Sequence, residues 1–373
     1  MKYYLIAGEA SGDLHGSGLI KALGKLDPDA CFRFWGGDLM EQAGGTLVRH
    51  IKTTSLMGFW EVLKNIKQVY SNIRFCKKDI DSFQPDALIL IDYPGFNLRI
   101  ARHAKKRGIR VIYFISPKVW AWNQSRVHSI KKYVDHMLTI FPFETGFYEQ
   151  FGYSVDYVGN PLMDAIENRK FREESFTDFI KRNNLSCKPV ISILAGSRIQ
   201  EINKSLPLML SVTGEYPGYQ FVIAGAPSIE PGLYQKHTGN RIRVLFDQTY
   251  AILQQSSAAM VVSGTATLEA ALLGVPQVVC YRASPVSYQI AKRFIRVRYI
   301  SLVNLILNRE VVKELIQDEF NKEKLKHELD KLLFDRNTRE KMKDDLTGLQ
   351  KIVGPKGACE KAAQKITGYL NNQ

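Results

Sequence analysis

The sequence has few cysteines, and they follow no pairing pattern. Its 373 residues contain five cysteines, which are scattered and form no Cys-x-x-Cys pair. This usage argues against a disulfide framework and against a zinc site, and it is typical of a reducing cytoplasm. The seven histidines form no metal-binding cluster either. We therefore expect no bound metal and no cofactor.

Long apolar runs are also missing. No stretch approaches the roughly 20 apolar residues that a membrane-spanning helix needs. The first apolar run stops at Gly8, too early for the core of a secretory signal. From these absences we expect a cytoplasmic protein whose contact with a membrane, if any, is peripheral.

Acidic residues are outnumbered, since 51 Lys and Arg face 37 Asp and Glu and leave a net charge of +14. A positive field of this size favours anionic partners such as nucleic acids, phosphorylated metabolites or an anionic membrane, without choosing among them. The sequence contains no recognised nucleic-acid motif and no aromatic and basic ladder. We therefore expect no nucleic-acid partner.

What the sequence does contain is an alternation of short apolar runs with helical patterns. Such alternation predicts an α/β fold with parallel sheets covered on both faces. A polar stretch at 167–188 separates two series of strands, so we predict two doubly wound, Rossmann-like domains at 1–165 and 188–350 that face each other across a cleft. A C-terminal helix at 351–373 follows, and we expect the C-terminal helices to pack back toward the first domain. The predicted strands are 3–7, 31–35, 87–91, 110–115, 137–141, 155–158, 190–194, 220–224, 241–246, 259–262 and 277–280.

Ligands of parallel sheets bind where the strands end, and two such loops of the second half carry polar groups. In the run LAGSR, Gly196 and Ser197 offer backbone N–H groups at a helix start, and Arg198 adds a phosphate donor. In the run SGTATLEA, Gly264 and Thr265 begin a second helix, and Glu269 is suited to a ribose diol. The alternatives are a plain turn with a surface arginine, and a glutamate that pairs with the helix dipole.

The first half offers a carboxylate in the same position. Asp92 follows the apolar strand 87–91 and is suited to act as a general base, or else as a structural helix cap. The opening run GEASGDLHG looks like a phosphate loop, but its glycines are four apart. We predict a loop that faces the substrates, with Ser11 and Gly12 as contacts. The run SPKVWAW predicts either an aromatic wall or core packing.

Two further segments combine apolar and basic residues. The predicted helix at 56–75 fits either a core helix or an interfacial helix that inserts aromatic side chains into lipid. The basic run at 291–299 suits an anionic surface, although a solvated face has the same composition.

Several motifs in one order give the sequence a recognisable pattern. It resembles the lipid-A-disaccharide synthase family, inverting glycosyltransferases with two Rossmann-like domains (GT-B type). The resemblance covers nearly the whole chain and is carried by GEASGD, MGFWEVL, IDYPGFN, SPKVWAW, AGSR, SGTATLEA and ISLVNLI. Another UDP-sugar enzyme of two Rossmann-like domains, namely an N-acetylglucosaminyltransferase or an epimerase, and a non-catalytic nucleotide-binding module remain alternatives.

The resemblance implies a reaction and roles for individual residues. The family joins UDP-2,3-diacylglucosamine to 2,3-diacylglucosamine 1-phosphate (lipid X) at the cytoplasmic face of the Gram-negative inner membrane and releases UDP. It implies that Asp92 is the base, that Arg198 lies near the donor diphosphate, and that Glu269 and Asn304 belong to the nucleotide half. It also implies that the helix at 56–73 faces the membrane. A homodimer is one assembly that the sequence leaves open.

Overall fold

The computed structural model describes residues 1–54, 66–239, 241–284, 288–289, 293 and 297–371. The first part of the predicted amphipathic helix, residues 56–65, lies outside this range, as does most of the basic run at 291–299. The chain divides into two compact units. Unit 1 comprises Met1–Ala165 and Pro355–Gln373, and unit 2 comprises Ile166–Gly354.

Unit 1 is built on a parallel sheet of seven strands in the order β3-β2-β1-β4-β5-β6-β7. Strands β1 and β4 lie at its centre, and β4 is completely buried because all five of its residues are apolar. Strand β1 pairs with β2 on one side and with β4 on the other. The strands are β1 (Lys2–Ala7), β2 (Cys31–Gly36), β3 (Thr46–His50), β4 (Ala87–Ile91), β5 (Arg110–Phe114), β6 (His136–Thr139) and β7 (Asp156–Tyr157).

Helices connect these strands, as right-handed crossovers between parallel strands require. The helices up to the unit boundary are α1 (Ala10–Leu26), α2 (Asp38–Ala43), α3 (Ile51–Thr54), α4 (Ile66–Phe83), α5 (Pro94–Lys106), α6 (Val119–Trp122), α7 (Arg126–Tyr133), α8 (Pro142–Glu149) and α9 (Pro161–Glu167).

Unit 2 repeats the design with six parallel strands in the order β10-β9-β8-β11-β12-β13. Its strands are β8 (Val190–Leu194), β9 (Gln220–Gly225), β10 (Arg243–Phe246), β11 (Ser256–Val262), β12 (Gln277–Tyr281) and β13 (Lys313–Ile316). Its helices are α10 (Phe176–Arg182), α11 (Ile199–Leu210), α12 (Pro231–Thr238), α13 (Thr249–Gln254), α14 (Thr265–Leu272), α15 (Leu302–Leu307), α16 (Lys322–Phe334) and α17 (Arg336–Val353). Two short 3₁₀ turns lie at Thr213–Glu215 and Gln317–Glu319.

The predicted α/β fold class with two Rossmann-like sheets is confirmed, but two strands were missed. Strands β3 and β13 each lie at the edge of their sheet. Both carry charged residues and are only partly buried, so they lack the continuous apolar run that marks a central strand. Edge strands need this apolar character less, because one side of them is open.

The opening glycines do not form the predicted loop. Helix α1 begins at Ala10, so most of the run lies inside a helix. The glycines there allow close packing: a Cβ at Gly12 would lie 3.1 Å from the Cβ of Ala7, and one at Gly16 would lie 2.6 Å from the Sδ of Met40. The buried carboxylate of Asp13 accepts the backbone N–H groups of Gly37, Leu39 and Met40 at 2.7–3.0 Å and so fixes the start of α2.

The polar stretch at 167–188 is a packed part of unit 2. Phe179 of α10 is completely buried, and the side chain of Arg169 donates to Gln254 at 2.8 and 3.0 Å. The guanidinium of Arg182 pairs with Glu174 and lies 3.8 Å from the ring centroid of Phe171. These hydrogen bonds and ion pairs order the segment, which explains why it is packed although its composition is polar.

The last helix, α18 (Ala358–Asn371), returns to unit 1 and packs against α1. Its apolar residues Ala358, Ala362, Ile366 and Leu370 are buried, and Cys359 lies so close to α1 that a Cβ at Gly18 would be 2.8 Å from its Sγ. Helices α16 and α17 instead belong to unit 2. The expectation that the C-terminal helices pack toward the first domain therefore holds for α18 alone.

Asp164 holds the start of α18, because its carboxylate accepts the backbone N–H groups of Gly357 and of Cys359, the latter at 2.9 Å. We expect Asp164→Ala to lower the free energy of unfolding by about 1–2 kcal/mol, the usual cost of a lost N-terminal cap. Urea denaturation measures it. The exposed Asp344 provides the control, and equal stability of Asp164→Ala and Asp344→Ala would contradict the assignment.

Candidate active site

In each sheet, the second and third strands extend to one side of the starting strand and the later strands extend to the other side, so the strand order reverses at one position. In unit 1 it lies between β1 and β4, and in unit 2 between β8 and β11. The loops after such a pair of strands diverge and leave a crevice, which is where open parallel sheets bind ligands. The loop of Asp92 lies at the first of these positions, and the loops of Gly196–Arg198 and Gly264–Thr265 flank the second.

Asp92 has a strained backbone that its neighbours hold in place. Asp92 and Tyr93 both adopt left-handed conformations, with φ of 43° and 48°, which cost non-glycine residues about 1–2 kcal/mol each. The carbonyl of Asp92 accepts the hydroxyl of Tyr113 and, at 2.8 Å, the side-chain amide of Asn97. Its N–H donates to the carbonyl of Ile115 at 3.2 Å. Strain maintained in this way at a ligand-binding edge is typical of functional residues.

The carboxyl of Asp92 is partly buried, and its electrostatics suit a base. Loss of hydration raises its pKa above the ordinary value, while the positive charge of Lys118 and the backbone N–H of Tyr93 oppose this shift. A carboxylate with a raised pKa accepts a proton more readily than a solvated one does. The alternative prediction of a simple helix cap is not supported, because the N-cap residue of α5 is Tyr93 rather than Asp92. The side chain of Tyr93 itself makes no capping hydrogen bond.

Gly8 links the opening run to this loop. A Cβ at Gly8 would lie 2.4 Å from the ring of Tyr93, so only glycine lets that ring cover the end of β1. Of the two predicted contacts in the run, Gly12 lies buried in the first turn of α1, next to Ala7 of β1, and its contact with a substrate stays a prediction. Ser11 lies partly exposed in the first turn of α1.

In unit 2 a glutamate shapes the LAGSR loop. Gly196 has a φ of +105°, and a Cβ there would lie 2.6 Å from the Oε2 of Glu201. Glu201 accepts the backbone N–H of Ser197 and the guanidinium of Arg198, both at 3.3 Å. Its carboxylate thus uses two donors of the kind that bind phosphate. About half of the Arg198 side chain is exposed (49%).

The loop after β11 presents a second helix start. Gly264 precedes α14, and Thr265 is its first residue. The hydroxyl of Ser263 donates to the carbonyl of Ile300 at 3.0 Å and joins this loop to the one before α15. Glu269, one turn into α14, accepts the hydroxyl of Tyr250 at 3.0 Å. Burial raises the pKa of Glu269, which the Tyr250 hydrogen bond opposes.

Asn304 is not free to contact a ligand through its side chain, which is completely buried. Its Oδ1 accepts the N–H groups of Val311 and Val312 at 2.8 and 3.0 Å, and its Nδ2 donates to the carbonyl of Val312 and to Glu314 at 2.8 and 2.9 Å. All four hydrogen-bonding positions of the amide are used. Asn304 therefore fixes the loop before α15, where Glu314 also accepts the N–H groups of Ile300 and Ser301.

The SPKVWAW run has a structural role through its first tryptophan. Trp120 is buried (7% exposed), and its indole N–H donates to Glu144 at 3.2 Å. Of the two interpretations of the run, core packing is confirmed for Trp120. Sequence reasoning missed Glu144, Glu201 and Tyr250. Their only signal was a position near the end of a strand, which many solvated residues share.

Comparisons with solved structures support the two-sheet architecture. A UDP-GlcNAc 2-epimerase from Methanocaldococcus jannaschii, in complex with UDP-GlcNAc and UDP, aligns with a TM-score of 0.65 at 16% identity over the whole of both chains. The glycotransferase of kitacinnamycin aligns with a TM-score of 0.65 at 13% identity over 99% of both chains. At such low identities the likeness concerns the fold alone.

Sequence relatives are more specific. The family described as "Lipid-A-disaccharide synthetase" matches residues 3–366. A lipid-A-disaccharide synthase of Geobacter metallireducens is 39% identical over 99% of this chain and 97% of its own length. These matches favour disaccharide formation over the epimerase and the non-catalytic module. The chain therefore belongs to the lipid-A-disaccharide synthase family and is a glycosyltransferase of lipid A synthesis.

Proposed function

We propose that the protein condenses UDP-2,3-diacylglucosamine with 2,3-diacylglucosamine 1-phosphate (lipid X). The products are the β-1,6-linked disaccharide 1-phosphate and UDP. Family membership supports the reaction class. The observation that carries the mechanism is Asp92, a partly buried carboxylate in a strained loop at the reversal point of the unit 1 sheet.

Unit 1 activates the acceptor in this proposal. The carboxylate of Asp92 takes the proton of the acceptor 6-hydroxyl while the oxygen attacks the anomeric carbon of the donor from the face opposite UDP. One C–O bond forms as the bond to UDP breaks, so the configuration inverts. Desolvation of Asp92 raises its affinity for that proton. Ser11, at the start of α1, is proposed to contact the substrates beside this loop.

Unit 2 binds the donor. The backbone N–H groups at Gly196, Ser197, Gly264 and Thr265 and the guanidinium of Arg198 are proposed to hold the diphosphate. The diphosphate then replaces Glu201 as the acceptor of the Ser197 N–H and the Arg198 guanidinium. Negative charge grows on UDP as it leaves, and preorganised donors stabilise such charge by a few kcal/mol each. Because these groups supply the neutralisation, we propose a reaction without a metal or cofactor.

Glu269 is proposed to bind the ribose diol. Its carboxylate is oriented by the hydroxyl of Tyr250, which leaves Oε2 available to accept a ribose hydroxyl. Asn304 contributes indirectly, since it fixes the loop whose Ile300 carbonyl accepts Ser263.

We also propose a peripheral location on the cytoplasmic face of the inner membrane. No helix in the described ranges is long and apolar enough to cross a bilayer. The outer face of α4 exposes Tyr70 (61%) and Phe75 (38%) beside the exposed Lys67 and Arg74. Aromatic and cationic side chains together suit an anionic lipid surface. Ile73, in contrast, packs in the core, so only the outer face of this helix is proposed to meet lipid.

Replacement of the base tests the mechanism. We expect Asp92→Asn to lower kcat by about 10²–10⁴-fold, the usual contribution of a general base, while the Kd for UDP stays unchanged because unit 2 binds it. UDP release with both acylated substrates gives kcat, and calorimetry gives the Kd. Near-normal turnover would contradict the assignment of Asp92.

The role of Arg198 is tested by ligands with and without phosphate. We expect Arg198→Ala to weaken UDP binding by roughly tenfold or more, since a hydrogen bond to a charged group contributes about 1.5–3 kcal/mol. Uridine, which has no diphosphate, should bind both proteins equally. A similar loss for UDP and uridine would show that the substitution disturbs the fold rather than a phosphate contact.

The role of Glu269 is tested with a UDP analogue that lacks the ribose diol. We expect Glu269→Ala to weaken UDP binding by several-fold through the loss of the ribose contact. The affinity for 2′,3′-dideoxyuridine diphosphate should stay the same, because this ligand has no diol to bind. Equal losses for the two ligands would remove Glu269 from the ribose site.

A further inference from the structure

A completely buried carboxylate connects two loops next to Asp92. Glu144 lies in the first turn of α8 with no exposed surface. Its Oε2 accepts the backbone N–H groups of Ile140 and Phe141 at 3.2 and 3.0 Å, in the loop after β6. Its Oε1 accepts the indole N–H of Trp120 at 3.2 Å, from the loop after β5. The carboxylate thus joins the ends of two adjacent strands.

The same helix holds the β5 loop at a second point. The hydroxyl of Tyr148 is 2.7 Å from that of Ser116, and both groups are buried. Trp120 also packs edge-on against Phe143, with ring centroids 5.0 Å apart. Residues 116 and 120 are therefore both fixed to α8, one on each side of Lys118. We call residues 116–120 the lysine loop.

The lysine loop begins directly after Ile115, a residue that is hydrogen-bonded to Asp92. Ile115 precedes the loop, has a φ of 68°, and accepts the N–H of Asp92 at 3.2 Å. Lys118 is the cation whose charge opposes the raised pKa of Asp92. The side chain of Lys118 is exposed, and no side chain among the described residues holds it, so the backbone of the loop keeps its charge near Asp92.

We propose that Glu144 is a positioning residue for the reaction: it fixes the lysine loop to α8 and so keeps Lys118 beside the carboxylate of Asp92. This inference rests on the proposed function, in which Asp92 is the base. Without the restraint, a solvated lysine with four rotatable bonds spends less time near Asp92. The base is then protonated at a higher pH.

The surrounding titratable groups leave this role to Glu144. Tyr148 on α8 and Tyr157 on β7 face its carboxylate, and their pKa values are raised, so they stay neutral around pH 7. Tyr113 faces Asp92, and its pKa is raised too. Burial raises the pKa of Glu144 to about 7, against the opposing hydrogen bonds of Phe141, Trp120, Ile140 and Ser116. Below that pH the neutral carboxyl still has a carbonyl oxygen that accepts hydrogen bonds, so a variant that tests the restraint at acid pH must remove both oxygens.

The acid limb of kcat/KM for the acceptor tests the proposal, because it reports the ionisation of the base in the free enzyme. Asp92 acts only when ionised, and Lys118 lowers its pKa. We therefore expect Lys118→Met to move the acid limb upward by roughly half a pH unit or more. Glu144→Leu keeps a similar side-chain volume but has no acceptor oxygen at any pH, and we expect it to move the limb in the same direction. The double variant should show no larger shift than Lys118→Met.

The control is Glu149→Gln, an exposed glutamate on the same helix, which should leave the limb in place. If Glu144→Leu does not fold, Trp120→Phe removes only the indole donor and should give the same shift. An unchanged limb in Glu144→Leu, or additive shifts in the double variant, would overturn the inference. An unimpaired Asp92→Asn would overturn the proposed function instead, so the two failures are distinguishable.

Discussion

All strands in each sheet run in one direction, and the candidate site of each unit depends on this constraint. Parallel strands place every carboxyl end at the same edge, so loops distant in sequence become neighbours there. The reversal of strand order then leaves one crevice in each sheet, after β1 and β4 in unit 1 and after β8 and β11 in unit 2. Asp92 lies at the first crevice, and Arg198 and Thr265 lie at the second. The same topology thus positions the proposed base in unit 1 and the proposed anion-binding loop in unit 2.

Carboxylates stabilise much of this edge although the chain as a whole is basic. Asp13 fixes α2, Glu201 fixes the LAGSR loop, Glu314 fixes the loop before α15, and Glu144 joins two strand ends. In each case the carboxylate accepts backbone N–H groups, most of which belong to helix starts with no intrahelical partner. These acidic residues rigidify the loops.

Glu201 and Glu269 show how such anchors relate to binding. Glu201 accepts the donors that the proposed diphosphate requires, so the loop is shaped for an anion before a ligand arrives. Glu269 is held by Tyr250 from α13, and such a restraint would reduce the entropy lost in the proposed ribose contact. Preorganisation of this kind agrees with a mechanism that depends on electrostatics rather than on a covalent intermediate.

The sequence alone determined the central strands, because fully buried parallel strands leave continuous apolar runs such as 87–91 and 259–262. It also led to the proposal of Asp92, Arg198 and Glu269 as site residues, because ligands of parallel sheets bind where such strands end. The edge strands β3 and β13 were missed since they are half-buried and polar. Only the tertiary structure showed the roles of the opening glycines, of Asn304 and of Glu144. Their roles are set by distant neighbours, such as Tyr93 above Gly8 and Trp120 against Glu144, and contacts between remote segments leave no periodic pattern in a single chain.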